Sequence, residues 1–463
     1  MLFNSLQFLL FFGAVTLGYY SLGWRGRWVL LLVASCYFYM VFKPSYILIL
    51  AVTIVIDYFA GIWIAQSHGQ RRKWLLVLSL VTNIGFLAYF KYFDFFASSI
   101  NQLSYQLFHQ EAVSLIHIML PIGLSFHTFQ AMSYTIEVYR GNQKAERHFG
   151  IYALYVMFYP QLVAGPIERP QNLLPQFHSY FKYDWQNVKA GLVQMAWGFF
   201  KKVVIADRLA MVVDYSYDNP TPHNGLTLLV ATFFFTFQIY CDFSGYSDIA
   251  IGSARVMGFN LMKNFDEPYR STSISEFWSR WHISLSTWFR DYLYIPLGGN
   301  RVTPYRNYLN FFIVFMISGL WHGAKWTFVI WGSLHGIYLI LARWRDANLK
   351  LSFSLPTWIQ WLSTFVLVML TWVFFRATGT TYAFQILKKI TQIHWNDQLV
   401  TPLNATEMFF SLALIGVMIV KERWLPVIEV KRDAAFWLWL SSLVLVIYLF
   451  GVFTSNQFIY FQF

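Results

Sequence analysis

Apolar stretches that approach the length of a membrane-spanning helix recur along the whole chain. They begin near Phe8, Trp28, Ile47, Trp74, Ile116, Tyr152, Leu228, Phe311, Phe328, Ile359, Phe409 and Phe436. A helix needs about 20 mainly apolar residues to cross the hydrocarbon core of a bilayer. The pattern therefore predicts an all-α, polytopic transmembrane helical bundle with about a dozen membrane-embedded segments.

Proline and glycine interrupt the apolar stretches at two places. Pro121 and Gly123 break one stretch, and Pro160, Gly165 and Pro166 break another. Irregular backbone at membrane depth is tolerated only where protein buries it or where it lines a cavity. The breaks predict re-entrant segments, although the second is also typical of a plain helix terminus. Because no repeat or linker is visible, we expect one integral-membrane domain over residues 1–463.

Composition supports a membrane protein and excludes most soluble classes. Apolar residues make up 57% of the chain and charged residues only 12%, whereas soluble domains carry about 25% charged residues. An ordinary cytosolic domain and a nucleic-acid-binding role are both excluded. The net charge of +12 is a topology signal, because cytoplasmic loops of membrane proteins are rich in Lys and Arg.

The positions of the basic clusters predict the sidedness of the chain. The clusters expected in the cytoplasm are Arg25 with Arg27 and residues 71–73, 140–147, 343–350 and 421–432. From the last cluster, one span from Phe436 to about Phe453 would carry the chain outward. We therefore expect both termini on the extracytoplasmic side.

The segment from about Arg255 to Arg306 is too polar to span a membrane. Within it, tryptophans and other apolar residues recur at helical spacing over residues 276–290 and just beyond, and Glu276 lies four residues before Arg280. The pattern predicts an amphipathic helix at the cytoplasmic side of the bundle.

Polar residues inside apolar stretches are the candidates for chemistry, because their burial is costly. His322 lies between Trp321 and Gly323, where the glycine leaves room for a ligand; the alternative is a histidine satisfied within a bundle core. His335 favours a structural role. His282 fits a surface or capping role as well as a catalytic one. Asp242 needs a hydrogen-bond partner or a polar cavity.

Known soluble motifs for hydrolases, nucleotide binding and zinc proteases do not occur in the sequence. The histidines lack the spacing of a two-histidine metal site on one helix, so no metal site is expected.

Six blocks together resemble the membrane-bound O-acyltransferase superfamily, in its bacterial alginate O-acetylation branch. They read PIGLSFHTFQ (121–130), YPQLVAGP (159–166), DFSGYSDIAIG (242–252), FWSRWHISLSTWFRDY (277–292), LGGNR (297–301) and GLWHG (319–323). The resemblance implies a helical bundle with a central tunnel and identifies His322 as the principal catalytic candidate. It makes His282 the second catalytic candidate. The residues expected to line the tunnel or bind the donor are Trp281, Arg290, Trp321 and Asp242.

The resemblance also implies the substrates. The donor would be acetyl coenzyme A or a related acyl thioester, bound as a substrate, with no permanently bound cofactor. His322 would act as the general base for a hydroxyl attacking the thioester, with Trp N–H groups or His282 as donors to the oxyanion. Arginines such as Arg290 would bind phosphates of the donor; ordinary positive-inside charge explains them equally well.

The implied setting is the cytoplasmic (inner) membrane of a bacterium. The expected partners are a polysaccharide acceptor, membrane lipid and a periplasmic or cell-surface acyltransferase or esterase-like protein. The alternative from a different class is a transporter or polysaccharide-export component that uses His322 as a proton relay.

The sequence ends in Phe458-Ile-Tyr-Phe-Gln-Phe463. This segment resembles the terminal Phe-x-Tyr-Phe-x-Phe pattern of the small partner peptide in teichoic acid D-alanylation. If the likeness is functional, the hydroxyl of Tyr460 carries the acyl group as an ester toward an outer transferase. The alternative is an interfacial aromatic anchor.

Overall fold

The structure, a computed structural model, describes residues 1–117, 121–163, 165–348, 355–425, 432–453 and 458–459. These ranges contain helices and no β-strand, which confirms the all-α prediction. Backbone proximity divides the chain into two compact units. Unit 1 comprises Met1–Leu192 and Ala250–Met262, and unit 2 comprises Val193–Ile249 and Lys263–Phe463.

Unit 1 contains the first nine helices and part of the tenth. They are α1 (Leu6–Ser21), α2 (Trp24–Met40), α3 (Tyr46–Gln66), α4 (Gly69–Leu87), α5 (Phe93–Phe108), α6 (Leu124–Arg140), α7 (Phe149–Met157), α8 (Tyr159–Leu162), α9 (Pro170–Phe177) and the first part of α10 (Trp185–Phe199). A π-helical segment, Ala88–Tyr92, joins α4 to α5.

Unit 2 contains the remaining helices, and α12 ends in unit 1. They are α11 (Asp207–Tyr217), α12 (Gly225–Val256), α13 (Ile274–Arg280), α14 (Ile283–Phe289), α15 (Pro304–His322), α16 (Trp326–Asn348), α17 (Thr357–Arg376), α18 (Thr380–Ile390), α19 (Ala405–Trp424) and α20 (Asp433–Phe450). A 3₁₀ turn covers Pro268–Arg270, and π-helical segments cover Phe200–Ala206 and Arg290–Tyr294.

Among the described residues, five helical segments are long and apolar enough to cross a membrane. They are Tyr46–Gln66, Gly69–Phe108, Gly225–Val256, Thr357–Arg376 and Asp433–Phe450. Other predicted runs fall on helices that are shorter or more polar, such as the nine-residue α7. In the run expected near Ile116, the described residues 116–117 and 121–123 are not helical, and α6 begins at Leu124, directly after Gly123 with its left-handed backbone and φ of 77°.

The second predicted break is an irregular and buried segment of unit 1. α7 ends at Met157, α8 forms a single turn, and Gly165 and Pro166 are buried in the non-helical stretch before α9. The side-chain amide of Gln161 donates to the carbonyl of Tyr155 over 2.9 Å. Burial within protein satisfies the condition for irregular backbone in a membrane protein.

Candidate functional site

The polar segment of unit 2 folds as two short helices. α13 ends at Arg280 and α14 begins at Ile283; between them Trp281 is extended and His282 has a left-handed backbone with a φ of 44°. The prediction of one continuous amphipathic helix over residues 276–290 is therefore wrong, because a left-handed residue interrupts the helical path.

Asn264 holds the break in place. Its backbone carbonyl accepts from the Ile283 N–H over 2.9 Å, and its side-chain Oδ1 accepts from the Ser284 N–H over 3.3 Å. The same Oδ1 lies 3.0 Å from Nδ1 of His282. Because a backbone N–H can only donate, this atom of Asn264 is the oxygen, and Nδ1 of His282 must carry the proton.

His282 is a neutral imidazole with a defined tautomer. The residue is fully buried, and this burial lowers its pKa from 6.5 to about 3. With the proton on Nδ1, the Nε2 atom of the neutral ring is a hydrogen-bond acceptor. This geometry favours a role for His282 as a hydrogen-bond acceptor, in place of the expected donor to an oxyanion.

His322 lies next to this histidine. It is the last residue of α15 and is 4% exposed. Its ring centroid is 6.4 Å from that of His282, 5.0 Å from Trp321 and 5.1 Å from Trp331. Trp321 is also 6.2 Å from His282. The fold thus brings the two predicted histidines together in an aromatic enclosure.

The glycines around His322 serve close helix packing. A Cβ atom added at Gly323 would meet the ring of Phe328, and one added at Gly319 would meet the carbonyl oxygen of Phe328. Both glycines therefore allow α15 to approach α16. The expectation that Gly323 leaves room for a ligand is wrong, because Phe328 fills that space.

Three buried tryptophans form a continuous layer beside His322. The ring centroids of Trp281 and Trp372 are 5.0 Å apart, and those of Trp372 and Trp331 are 5.6 Å apart. Within the described ranges, the indole Nε1 atoms of all three lack a hydrogen-bond acceptor. A buried donor without an acceptor is costly, so these groups are suited to a ligand oxygen.

His335 has a structural environment, as its sequence context predicts. Its Nδ1 accepts from the Trp278 indole N–H over 3.3 Å, and its Nε2 lies 3.0 Å from Oγ1 of Thr371. The Thr371 hydroxyl itself donates to the carbonyl of Val368. Nε2 of His335 is therefore the donor, and both ring nitrogens are engaged in joining α13, α16 and α17.

The other predicted site residues lie in different surroundings. Trp281 is fully buried in the tryptophan layer. Arg290 is exposed and pairs with Asp291 over 2.8 Å. Asp242 is buried and pairs with Lys202 over 2.6 Å. Tyr460 lies outside the described residues.

Sequence reasoning missed several residues of this region. Trp331 had a signal in the sequence, because it lies four residues before His335 and this spacing places both on one face of α16. No local sequence pattern indicates that Trp372 or Asn264 belongs to the site. The adjacent Lys201 and Lys202, inside the apolar run Phe-Phe-Lys-Lys-Val-Val-Ile, carry a clear signal, because charges in such runs are rare and functional.

A cavity of about 740 Å³ lies behind the tryptophan layer. Tyr240 and Tyr269, which line it, pack against Trp281 at centroid distances of 6.1 and 6.0 Å. Its other walls are mainly apolar. Its charged lining residues are Glu267, Arg270, Glu422 and Arg423. Two of these residues are acidic and two are basic, so the lining has no net formal charge.

Comparison with known proteins places this geometry in context. The model of the membrane-bound O-acyltransferase family matches residues 29–384. The chain is 42% identical over 390 residues to the probable alginate O-acetylase AlgI of Pseudomonas aeruginosa, covering 83% of this chain and 74% of the relative. It is 39% identical over 425 residues to the peptidoglycan O-acetyltransferase of Helicobacter pylori, covering 84% of this chain and 79% of the relative.

A more distant similarity covers about half of the chain. The teichoic acid D-alanyltransferase of Streptococcus thermophilus is 31% identical over 233 residues, which is 48% of this chain and 56% of the relative. The names of these three relatives refer to acetylation of alginate, acetylation of peptidoglycan and D-alanylation of teichoic acid.

Proposed function

This chain belongs to the membrane-bound O-acyltransferase family, and from that membership we propose that it moves an acetyl group from a cytosolic thioester toward hydroxyls of an extracytoplasmic polysaccharide. The observation that carries the proposal is the buried pair of histidines, His282 and His322, beside a layer of tryptophans with available N–H groups. The names of the relatives support alginate, peptidoglycan or a similar glycan as the acceptor.

In the proposed reaction, His322 removes the proton from the attacking hydroxyl. The hydroxyl oxygen forms a bond to the thioester carbonyl carbon, and the C–S bond breaks as the tetrahedral intermediate collapses. The proton held by His322 then passes to the departing thiolate, which leaves as a free thiol. A neutral imidazole suits both steps, because its unprotonated nitrogen can accept the proton of the hydroxyl and then return it to the thiolate.

His282 would orient the acceptor by accepting a hydrogen bond from a second hydroxyl of the sugar, because the proton of the attacking hydroxyl goes to His322. With Nδ1–H fixed on Asn264, Nε2 has the lone pair that such a hydrogen bond needs. The ring centroids of His282 and His322 are 6.4 Å apart, so one bound acceptor can contact both rings.

The oxyanion would be stabilised by indole N–H groups. Trp331 is the principal candidate because its ring centroid is 5.1 Å from that of His322. Trp372 and Trp281 extend the same layer. Preorganised donors in a water-excluded site stabilise developing negative charge more strongly than water does.

The donor would be acetyl coenzyme A or a related acyl thioester, bound only during turnover. The exposed position of Arg290 supports contact with its phosphates, since charge-assisted bonds from Arg suit phosphate oxygens. The neutral cavity behind Trp281 gives no such support.

The proposed setting is the cytoplasmic membrane of a bacterium, with the basic clusters inside and both termini outside. α20, which is long and apolar enough to span, would make the last crossing. A periplasmic or cell-surface partner would complete transfer to the glycan. Tyr460 would carry the acyl ester to that partner, or its ring would serve as an interfacial anchor.

The discriminating experiment uses purified protein in detergent, where no transmembrane gradient exists. We expect release of free thiol from acetyl coenzyme A, because an acyltransferase breaks the thioester. A transporter with His322 as a proton relay would leave the thioester intact. Absence of thiol release from folded protein supplied with an oligosaccharide acceptor would contradict the proposal.

A further inference from the structure

Two described residues that follow α20 in the sequence, Phe458 and Ile459, lie in the interior of unit 2. We use the name tail for residues 451–459, of which 451–453 and 458–459 are described. At its start, the Val452 N–H donates to the carbonyl of Val203 over 2.8 Å. At its other end, Phe458 and Ile459 are 0% and 3% exposed. The tail therefore ends as part of the packed interior.

A buried carboxylate holds the end of the tail. The Ile459 N–H donates to Oδ2 of Asp242 over 2.7 Å. The other oxygen of that carboxylate, Oδ1, pairs with Nζ of Lys202 over 2.6 Å, and Lys202 also pairs with Asp207 over 2.8 Å. Asp242 thus uses one oxygen for a buried cation and the other for the tail backbone.

Aromatic contacts connect the tail to the histidine pair. The ring of Phe458 is 4.2 Å from that of Tyr246 and 5.7 Å from that of Phe243. The ring of Phe243 is 4.6 Å from that of His282. The ring of Phe243 therefore packs against both the tail and His282 of the proposed catalytic site.

We propose that Asp242 is a positioning residue that docks the tail beside His282. Its carboxylate supplies the acceptor that fixes the backbone of Ile459, and Lys202 orients that carboxylate by pairing with its other oxygen. Docking itself needs no acyl donor. Docking would also keep the tail in the position that acyl transfer to the acceptor requires. This catalytic consequence rests on the function proposed above.

The chain provides a matched control on the same helix. Asp248 pairs with Lys201, the neighbour of Lys202, over 2.6 Å, and it accepts from Gln194 over 3.0 Å. Asp248→Asn therefore removes the same charge from the same kind of lysine pair as Asp242→Asn. Asp248→Asn differs from Asp242→Asn in one respect, because the partners of Asp248 do not belong to the tail.

The test measures how readily the tail reacts with N-ethylmaleimide. Ile459→Cys keeps the backbone N–H and provides the thiol, and tryptic cleavage after Arg432 gives a peptide from residue 433 onward that lacks both native cysteines. We expect Asp242→Asn to raise the labelling rate of Cys at this position about tenfold or more, since hydrogen bonds to charged groups are among the strong ones. Asp248→Asn should stay within about twofold of the Ile459→Cys parent. Equal rates for all three proteins, or equal increases for both Asn variants, would overturn the proposal.

A second variant tests docking without altering the buried ion pairs. Phe458→Ala removes the ring that packs on Tyr246 and should also raise labelling, whereas unchanged labelling would contradict docking. Acylation of the acceptor is measured in the same membranes. We expect acylation to fall in Asp242→Asn more than in Asp248→Asn. If Asp242→Asn raises labelling of the tail but leaves acylation of the acceptor normal, Asp242 has no positioning role in catalysis. That result would overturn the positioning role even if thiol release had confirmed the acyltransferase activity.

Discussion

Replacing Asn264 with Ala should reduce the rate of acyl transfer, although Asn264 is not proposed to contact the reacting groups. The substitution removes the Oδ1 atom that fixes the proton of His282 on Nδ1. Without that acceptor, the neutral imidazole can instead carry its proton on Nε2, where it blocks the proposed accepting role. Partners that orient metal-binding imidazoles typically contribute about 10–100-fold in activity, and by analogy we expect a loss of that size here.

The cost in stability follows from the same contacts. Asn264→Ala leaves the buried Nδ1–H of His282 and the N–H of Ser284 without their acceptor. Each unsatisfied buried donor costs about 1–3 kcal/mol, so the free energy of unfolding should fall by about 2–6 kcal/mol. Ser284→Ala is the matched control, because it removes only the hydroxyl that donates to Asn264 over 2.9 Å. It should cost about 1 kcal/mol.

The assay combines thermal unfolding in detergent with the initial rate of thiol release from acetyl coenzyme A, at a temperature where both variants are folded. We expect a rate reduced about 10–100-fold for Asn264→Ala and a nearly normal rate for Ser284→Ala. A normal rate for folded Asn264→Ala would show that the tautomer of His282 does not matter, and would refute this reasoning.

Three further predictions address packing, pH and the relay. Gly319→Ala should lower the melting temperature, because the added Cβ meets the backbone carbonyl of Phe328 at a cost of about 1–3 kcal/mol. Gly13→Ala is the control and should not lower the melting temperature, because open space surrounds Gly13. Burial lowers the pKa of His282 from 6.5 to about 3, so only the unfolded chain gains this proton as the pH falls from about 6.5 to 3. The free energy of unfolding should therefore decrease by up to about 1.4 kcal/mol for each pH unit in this range. His282→Gln should make this dependence on pH weaker. Tyr460→Phe should abolish both the acetyl ester on the C-terminal peptide, detected by mass spectrometry, and acetylation of the outer acceptor. Normal acetylation in this variant would contradict the relay.

The sequence predicts the fold class well because apolar runs carry a strong periodic signal. Nearly every predicted run coincides with a helix, and α17 and α20 begin within a few residues of the expected Ile359 and Phe436. The i, i+4 pair of Glu276 and Arg280 is confirmed with a contact of 3.0 Å. The break at His282 could not be predicted, because the contacts that favour its left-handed backbone come from Asn264, which is distant in sequence.

In the candidate site, too, residues in local motifs could be predicted from the sequence and contacts between distant segments could not. His322 and His282 were identified by a resemblance in local motifs, and the fold brings them together. The tryptophan layer depends on α13, α16 and α17 packing against one another, and such packing leaves no local signature at Trp372. The docking of Ile459 on Asp242 joins residues separated by most of unit 2, so it is visible only in three dimensions.

The most direct test of the account compares two histidines that differ in environment. His322→Gln and His335→Gln are purified in equal amounts, their folding is checked by size-exclusion chromatography, and the release of thiol from acetyl coenzyme A is measured with acceptor present. Because His322 is proposed as the base, its replacement should reduce the rate by about 10²–10⁴-fold. His335 holds α13 to α17, so its replacement should lower thermal stability and leave the rate of the folded protein within a few-fold of wild type. A wild-type rate for folded His322→Gln would contradict the central claim.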